Sequence, residues 1–371
     1  MRCRNPQLIL TQDGRDVLCE EDVAARELVH QLLGSASSLP ADCGSPTTRP
    51  PWLDTAKLKR GQAVFHRYFL SVFVANLVGL VCILAVESIL KVLVFTGRSS
   101  TVTASFKRYL GTLNHVRVWY TADVFDPDSS AFKSIQLVRR MHTTSHKDAK
   151  KAGVAIATQT DMVVTQWAFF GLVLTHGQYL GLSCSREEEE SLVHFWKSVG
   201  YLLGIEDRFN LGSGELEEVR AKCKAVLEVV IVAGLTRPPH HFSTMTDVML
   251  QGVHMIIPAV DPPAFLAFTY HLLGLHHDTT NLSWCSTFIL NFMIWVFRTV
   301  LHIPIIGKLT HVWVNSLLRF ALFVCNSLPS VASFYRWAEK SLASMIDSLI
   351  AYSTKVQNSV LLLFNLQNNK C

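Results

Sequence analysis

Helical periodicity is the feature that most limits what this chain can fold into. From Lys57 onward, apolar residues recur at steps of three and four, and the alternation of apolar and polar residues that marks a strand is rare. Residues at these steps lie on one face of an α-helix. Short segments rich in Gly, Pro or Ser, such as "TRPPHH" at 236–241, interrupt the pattern. The chain is therefore predicted to be all-α, with one large helical domain followed by apolar C-terminal helices.

The composition narrows the possible partners. Hydrophobic residues make up 49% of the 371 residues and charged residues only 17%, whereas soluble domains carry about 25% charged residues. The chain is therefore expected to meet a membrane surface or to enclose a large lipophilic pocket. The net charge of +5 comes from scattered Lys and Arg. Without a dense basic patch interleaved with aromatic residues, nucleic-acid binding is not expected.

Three regions differ in composition. Residues 1–56 contain a short amphipathic helix, at about Glu20–Leu33, and a linker rich in Ser, Pro and Gly. Residues 57–277 are predicted to form the main helical domain. Residues 278–371 are apolar, rich in Trp, Phe and Leu, with spaced cations. This tail suits either a helix at a bilayer interface or a packed helical subdomain.

Two long runs carry no charge, Tyr68–Val86 and Leu282–Phe297. A membrane-spanning helix needs about 20 apolar residues, and both runs approach that length. The first is interrupted by Asn76 and Gly79. It is predicted to be either a buried core helix or a membrane span, and its sequence leaves both alternatives open.

Cysteine usage indicates the redox compartment. The nine cysteines are odd in number, and no pair has the C-x-x-C spacing. Neither a disulfide framework nor a zinc site is expected from this pattern. Reduced, packed thiols favour a domain that faces the cytosol.

The segment "LVRRMHTTSHKD" at 137–148 holds the first candidate site. On a helix, Arg139 and His142 share a face at a spacing of three, and His142 and His146 at a spacing of four. The second spacing can hold a metal between two imidazoles, although an isolated pair of this kind is weakly specific. A cation and an imidazole in an apolar setting need polar partners. The carboxylates of a bound cofactor would serve for Arg139 and Arg140.

A second candidate site lies in "DMVVTQWAFFGLVL" at 161–174, a helix fit for a core apart from its polar residues. Asp161 can cap the helix, and Thr165 can bond back to its own backbone. Gln166 is harder to explain, because a mid-helix amide among apolar residues needs a partner outside the helix. Gln166, with Thr165 beside it, is therefore a candidate pocket residue.

His194 is the third candidate. It shares a polar stripe with Lys197, Ser198 and Tyr201 beside the packing face of its helix. The stripe is either a solvated boundary or a route by which His194 reaches a pocket. A Gly-rich dinucleotide fingerprint is not recognised, since "GSG" at 212–214 follows a helix end rather than a strand. Flavin and nicotinamide cofactors are therefore not expected.

Several segments together resemble a known family; they are "RGQAVFHRYF", "SILKVLVFTGRS", "RRMH", "TQTDMVVTQWAFFG" and "HFWKSVGYLLGIEDRFN". This ordered set is similar to the catalytic domain shared by the ER-bound oxygenase MpaB and the rubber oxygenase called latex clearing protein. The likeness covers roughly Lys57 to Gly234 and extends to about His277. No single segment is specific, whereas the whole set is.

The resemblance implies an all-helical, globin-like core that holds a b-type haem and uses O2 to cleave double bonds in isoprenoid chains. Arg139 and His142 match the family's spacing of two polar residues near the haem. Bacterial members carry an iron-ligating His on the following helix. Here Thr165 or Gln166 stands at about that place, so this ligand does not transfer.

Because the iron-ligating His of the bacterial members has no counterpart here, three outcomes are possible. His142 ligates iron itself, or His194 reaches in from the next helix, or this branch has lost haem and kept the fold as a lipid-binding scaffold. The leading hypothesis is a haem b oxygenase at the endoplasmic reticulum membrane, acting with O2 on an unsaturated lipophilic substrate. In it, Arg139 or Arg140 meets the haem propionates, and Thr165 and Gln166 face the cofactor or bound oxygen. A further alternative is a non-haem metal enzyme that uses His142, His146 and Asp161.

Overall fold

The computed structural model of the protein describes residues 20–327, and the expectations for residues 1–19 and 328–371 lie outside the described residues. The described part is all-α, as predicted, and its β structure is limited to an isolated bridge between Pro40 and Thr158. Its helices are α1 (Glu20–Leu33), α2 (Ser35–Ser38), α3 (Thr55–Arg67), α4 (Phe69–Leu84), α5 (Glu87–Phe95), α6 (Val102–Trp119), α7 (Ser130–Lys151), α8 (Gln159–His176), α9 (Arg186–Leu202), α10 (Leu216–Val226), α11 (Ala233–Thr236), α12 (Phe242–His254), α13 (Pro262–Leu272), α14 (Trp284–Arg298) and α15 (Pro304–Ser327).

Shorter elements complete the helical part. Single 3-10 turns cover Gly177–Leu180 and Val300–His302, and a π-helical segment, Leu227–Val232, joins α10 to α11. The chain divides into two units, the first ending at Leu318 and the second beginning at Arg319. All features described below belong to the first unit.

Helix α4, which corresponds to the first charge-free run, is a core helix. Nearly all of its residues are buried, including both that interrupt the run. A Cβ atom at Gly79 would lie 2.0 Å from the carbonyl oxygen of Ala168, so glycine permits the close approach of α4 and α8. With its amide nitrogen turned toward the carbonyls, Asn76 donates to Val72 O (3.2 Å) and Phe169 O (2.6 Å). Its polar group is thereby satisfied inside the core.

Side-chain caps fix where the helices around the core begin. The hydroxyl of Thr101 accepts from the backbone N–H of Ala104 at the start of α6, at 3.2 Å. Ser129 does the same for α7, accepting from Phe132 N at 3.0 Å. A free first turn of a helix leaves N–H groups without partners, and a Ser or Thr at this position satisfies one of them.

The segment 284–302 is an apolar stretch that the fold leaves largely exposed. Among the described residues, Trp284–His302 is the continuous helical stretch that is long and apolar enough to cross a membrane. Only 22% of its 18 most apolar consecutive residues are buried. The pair α3 and α4 would also qualify, but only if counted as one span despite a bend of 92°. Trp284, Phe288, Phe292 and Trp295 lie on one face of α14 and are 81%, 62%, 51% and 54% exposed. We call these four residues the aromatic stripe.

Candidate functional site

A cavity of about 600 Å³ lies between α4, α5, α6, α7, α8 and α9. Pockets that enclose small ligands have volumes of about 300–1,000 Å³, so this one can hold a large molecule. Its wall is mainly apolar, with Leu80, Ile83, Leu84, Ile89, Val92, Val116, Trp119, Met162, Phe169 and Val199 among its lining residues. The large lipophilic pocket inferred from the composition is thus present in the fold.

His142 lies on the wall of this cavity. Its Nδ1 atom is buried and has no hydrogen-bond partner. Burial lowers the pKa of His142 to about 4, with smaller contributions from the nearby His146 and Arg108. The imidazole is therefore neutral at physiological pH and keeps a lone pair that can bind a metal.

His146 lines the same cavity and stacks on His142, with ring centroids 6.0 Å apart. A non-haem metal site would also need the carboxylate of Asp161. In the part of the chain that the structure describes, no three His, Cys, Asp or Glu side chains converge on a point that could hold a metal ion. The geometry therefore gives no support to the non-haem alternative.

Arg139 does not line the cavity. Its Nε and Nη2 atoms donate to the two carboxylate oxygens of Asp42, at 2.9 and 2.5 Å. Its Nη1 atom donates to the carbonyl oxygens of Ser45 (3.0 Å) and Leu202 (3.3 Å). The structure thus uses this arginine to fasten the segment before α3 onto α7 and α9. Its neighbour Arg140 is exposed and lies outside the cavity lining.

Asp161 and Thr165 both line the cavity, but their polar atoms are used within the protein. The carboxylate of Asp161 accepts from the backbone N–H of Thr158 at 2.8 Å, as a helix cap does, and from the hydroxyl of Ser88. The hydroxyl of Thr165 donates to Asp161 O at 2.7 Å. Asp161 thus caps its helix and Thr165 bonds back to its own backbone, the two roles that the sequence allowed for them.

Gln166 also lines the cavity, and its amide finds partners on neighbouring elements. The Nε2 atom donates to Trp196 O (2.9 Å) and Asn210 Oδ1 (2.8 Å). The Oε1 atom accepts from Leu211 N at 3.1 Å. The hydrogen-bond partners expected outside the helix therefore lie on α9 and in the loop after it. The amide of Gln166 connects α8 to both of these segments.

His194 is not brought together with His142. Its Nε2 atom accepts a hydrogen bond from the backbone N–H of Asp54 at 2.9 Å, just before α3. Its ring packs edge-on against Trp52, with centroids 5.8 Å apart. It is not among the residues that line the cavity. Of the two alternatives for His194, the structure has it at the boundary of α9 and not in the pocket.

Sequence reasoning missed His115, a second imidazole whose environment suits a ligand or proton donor. It lines the cavity from α6, and its Nδ1 atom lies 2.8 Å from the hydroxyl of Ser134. The same hydroxyl accepts from Trp119 Nε1 at 2.9 Å. Arg108, Thr112, His115 and Trp119 follow the helical spacing of one face, which is the signal that could have identified it.

The cavity is cationic at one end. Its lining includes Arg98, Lys107 and Arg108, against a single carboxylate, that of Asp161. Arg98 and Lys107 are exposed, whereas the other lining residues are buried or half-buried. The two exposed cations therefore mark where the cavity opens to solvent, and we call this the cavity mouth.

Comparison with known proteins agrees with this architecture. The family model described as "ER-bound oxygenase mpaB/B'/Rubber oxygenase, catalytic domain" matches residues 64–284. The fold is similar to a solved structure of latex clearing protein in the closed state, with a TM-score of 0.52 and 17% sequence identity over 85% of this chain and 94% of that chain. A search among curated proteins gives no match.

Proposed function

Because the chain belongs to the catalytic-domain family of the ER-bound oxygenase mpaB/B' and the rubber oxygenase, we propose that it is a haem-dependent oxygenase. The class of enzyme follows from the family, and an oxygenase acts on O2 and a second substrate. We propose haem b as the cofactor, and an unsaturated, lipophilic, isoprenoid-like molecule as the second substrate. Such a substrate matches a cavity whose wall is mainly apolar.

The observation that carries the haem proposal is the state of His142. A neutral imidazole with an unpartnered buried nitrogen, on the wall of an apolar cavity, is chemically suited to bind the iron of a porphyrin. Of the two other imidazoles on the cavity wall, His115 and His146, it is His115 whose Nδ1 atom is held by a hydroxyl, that of Ser134. A metal-bound imidazole usually has its second nitrogen held in this way. We propose His142 as the ligand, with His115 as the second candidate.

Bound haem would supply the iron that activates O2, which reacts poorly with closed-shell organic molecules. The residues of this chain would do the rest. The apolar wall would orient the hydrocarbon and exclude water from the reacting bond. Thr165 and Gln166 would shape the wall, since their polar groups are occupied elsewhere in the protein.

We propose that the protein associates with a membrane, with its catalytic domain facing the cytosol at the endoplasmic reticulum. The aromatic stripe supports this, because four large aromatic side chains on one exposed face suit insertion at a bilayer interface. The cytosolic orientation rests on the cysteine pattern of the sequence.

An absorption spectrum of the full-length protein, paired with iron quantitation, tests the haem proposal. We expect a Soret band, lost or shifted in His142→Ala and changed less in His115→Ala. His194→Ala is the matched control, because this histidine lies outside the cavity lining. Protein that contains neither iron nor porphyrin after expression with a haem precursor would rule the proposal out.

A lipid-binding protein without catalysis is the second candidate. It is favoured by one observation: α8 presents the satisfied amide of Gln166 at about the place where a ligand is expected. Colourless protein that co-purifies with lipid and consumes no oxygen would select this candidate over the first.

A further inference from the structure

Arg108 is a half-buried cation that forms no ion pair with a carboxylate of the described residues. Its Nη1 atom is fully buried and makes no hydrogen bond. Burial lowers the pKa of Arg108; the Tyr109 phenol opposes this, and the charge of Arg98 adds to it. The one carboxylate in the cavity lining, that of Asp161, accepts hydrogen bonds from Thr158 and Ser88 and forms no ion pair with Arg108.

An arrangement of this kind is unfavourable unless a ligand completes it. A guanidinium cannot lose its proton at neutral pH, so it stays charged in the cavity wall. Burying such a charge without a partner costs considerable free energy. The two cations of the cavity mouth, Arg98 and Lys107, add to the positive potential around it. An anion bound at this end would pair with the charge of Arg108 and would also reduce the positive potential.

From these observations we propose that the cationic end of the cavity binds a carboxylate, with Arg108 as its anchor, while the apolar wall holds the rest of the same molecule. A carboxylate suits a guanidinium because two parallel N–H groups can donate to its two oxygens. The ligand is thus an apolar molecule that ends in a carboxylate. This inference deepens the proposed function, since it concerns the same cavity, but it does not depend on iron.

Two sources could supply this chemistry, the propionates of a haem or the carboxylate of an acidic lipid substrate. The test compares each with a matched uncharged probe. The first pair is haem and haem dimethyl ester, followed by absorption. The second pair is a long-chain monounsaturated fatty acid and the alcohol of the same chain, followed by displacement of a fluorescent lipid. Full-length protein in lipid nanodiscs is used, so that no detergent competes for the cavity.

We expect the carboxylate member of at least one pair to bind at least about tenfold more tightly than its uncharged partner. Arg108→Leu should abolish that preference and Arg108→Lys should retain part of it. Arg237→Leu is the matched control, because Arg237 is exposed and outside the cavity. The ligand-free Arg108→Leu protein should fold, since the change removes an unpaired charge rather than a packed contact.

The outcomes are distinct. A preference in the haem pair identifies propionates, and one in the lipid pair identifies an acidic substrate. Binding of the fatty acid without any binding of haem would end the haem proposal and leave this one standing. Equal binding within both pairs, a preference that survives Arg108→Leu, or binding of none of the four probes would overturn it.

Discussion

The guanidinium of Arg139 and the carboxylate of Asp42 face each other through two hydrogen bonds, at 2.9 and 2.5 Å, across 97 residues of sequence. Arg139 is 9% exposed. The hydroxyl of Thr143 donates to the same carboxylate at 3.3 Å. A charged pair this well connected holds the segment before α3 against the helix that carries His142.

Breaking this pair should destabilise the fold. In Asp42→Asn the arginine stays buried and loses its counter-charge, and removing one partner of a buried pair costs roughly 3–5 kcal/mol. Since Asp42 is partly exposed, we expect about 2–3 kcal/mol in urea unfolding at pH 7. Asp123→Asn is the control, because its pair with Arg49 is solvent-exposed and should contribute less than about 1 kcal/mol. Equal losses in the two variants would contradict this role of the pair.

The same pair should make stability depend on acid. Burial alone would raise the pKa of Asp42, but hydrogen bonds from Arg139 and the Gly44 N–H, with the charge of Arg139, hold it below its ordinary 3.8. The pair's contribution is then present above pH 3.8 and is lost as the pH falls through the lower folded-state value. Unfolding free energy measured from pH 6 to pH 3 should therefore fall less steeply in Asp42→Asn than in the unaltered protein.

The periodicity of the sequence was sufficient to predict the all-α class, because each helix carries its own apolar face. It also indicated that the helix of His142 enters an apolar region, and the structure has that residue on the cavity wall. The role of Arg139 could not be read in the same way. Its partner Asp42 lies far away in the sequence, in a segment with no periodicity of its own.

The cationic end of the cavity could not be predicted from the sequence either. Arg98 and Lys107 read as ordinary surface charges in the sequence, and they are exposed. Only the packing of α6 against α7 and α12 shows that Arg108 faces an interior space. Gln166 gave the right signal, a need for an outside partner, but that partner could be identified only once α9 and the loop at Asn210 were placed beside it.

Two glycines should respond to the same substitution with opposite signs. A methyl group at Gly79 would meet Ala168 O at 2.0 Å, so Gly79→Ala must push α4 away from α8. We expect a loss of roughly 1–3 kcal/mol, as for other overpacked cores. Gly111 lies within α6 with nothing inside 4 Å of the added atom, so Gly111→Ala should gain roughly 0.5–1 kcal/mol. Denaturant unfolding of both variants measures the two effects, and a stabilised Gly79→Ala protein would disprove the close approach.

The aromatic stripe should govern binding to lipid vesicles. Burying a large apolar side chain contributes roughly 1.5–3 kcal/mol, so replacing Phe288 and Phe292 by Ser should weaken binding by about tenfold or more. Sedimentation with vesicles measures the bound fraction. The control replaces Val23 and Leu33 by Ser, because both are exposed and lie on α1 rather than on α14. If the control loses as much binding as the stripe variant, the stripe has no special part in it.

The neutral state of His142 should appear as a pH dependence of stability. Its folded-state pKa of about 4 lies below the ordinary value of 6.5, so between these values the unfolded chain takes up a proton that the folded protein does not. Stability is therefore fully present above pH 6.5 and is lost progressively as the pH falls toward 4. His142→Phe removes this titration, and its unfolding free energy should change less between pH 7 and pH 5. His30→Phe, at an exposed position on α1, is the matched control for exchanging an imidazole for a phenyl ring. An unchanged slope in His142→Phe would mean that the folded protein takes up the proton as readily as the unfolded chain does, which would contradict the lowered pKa of this ring.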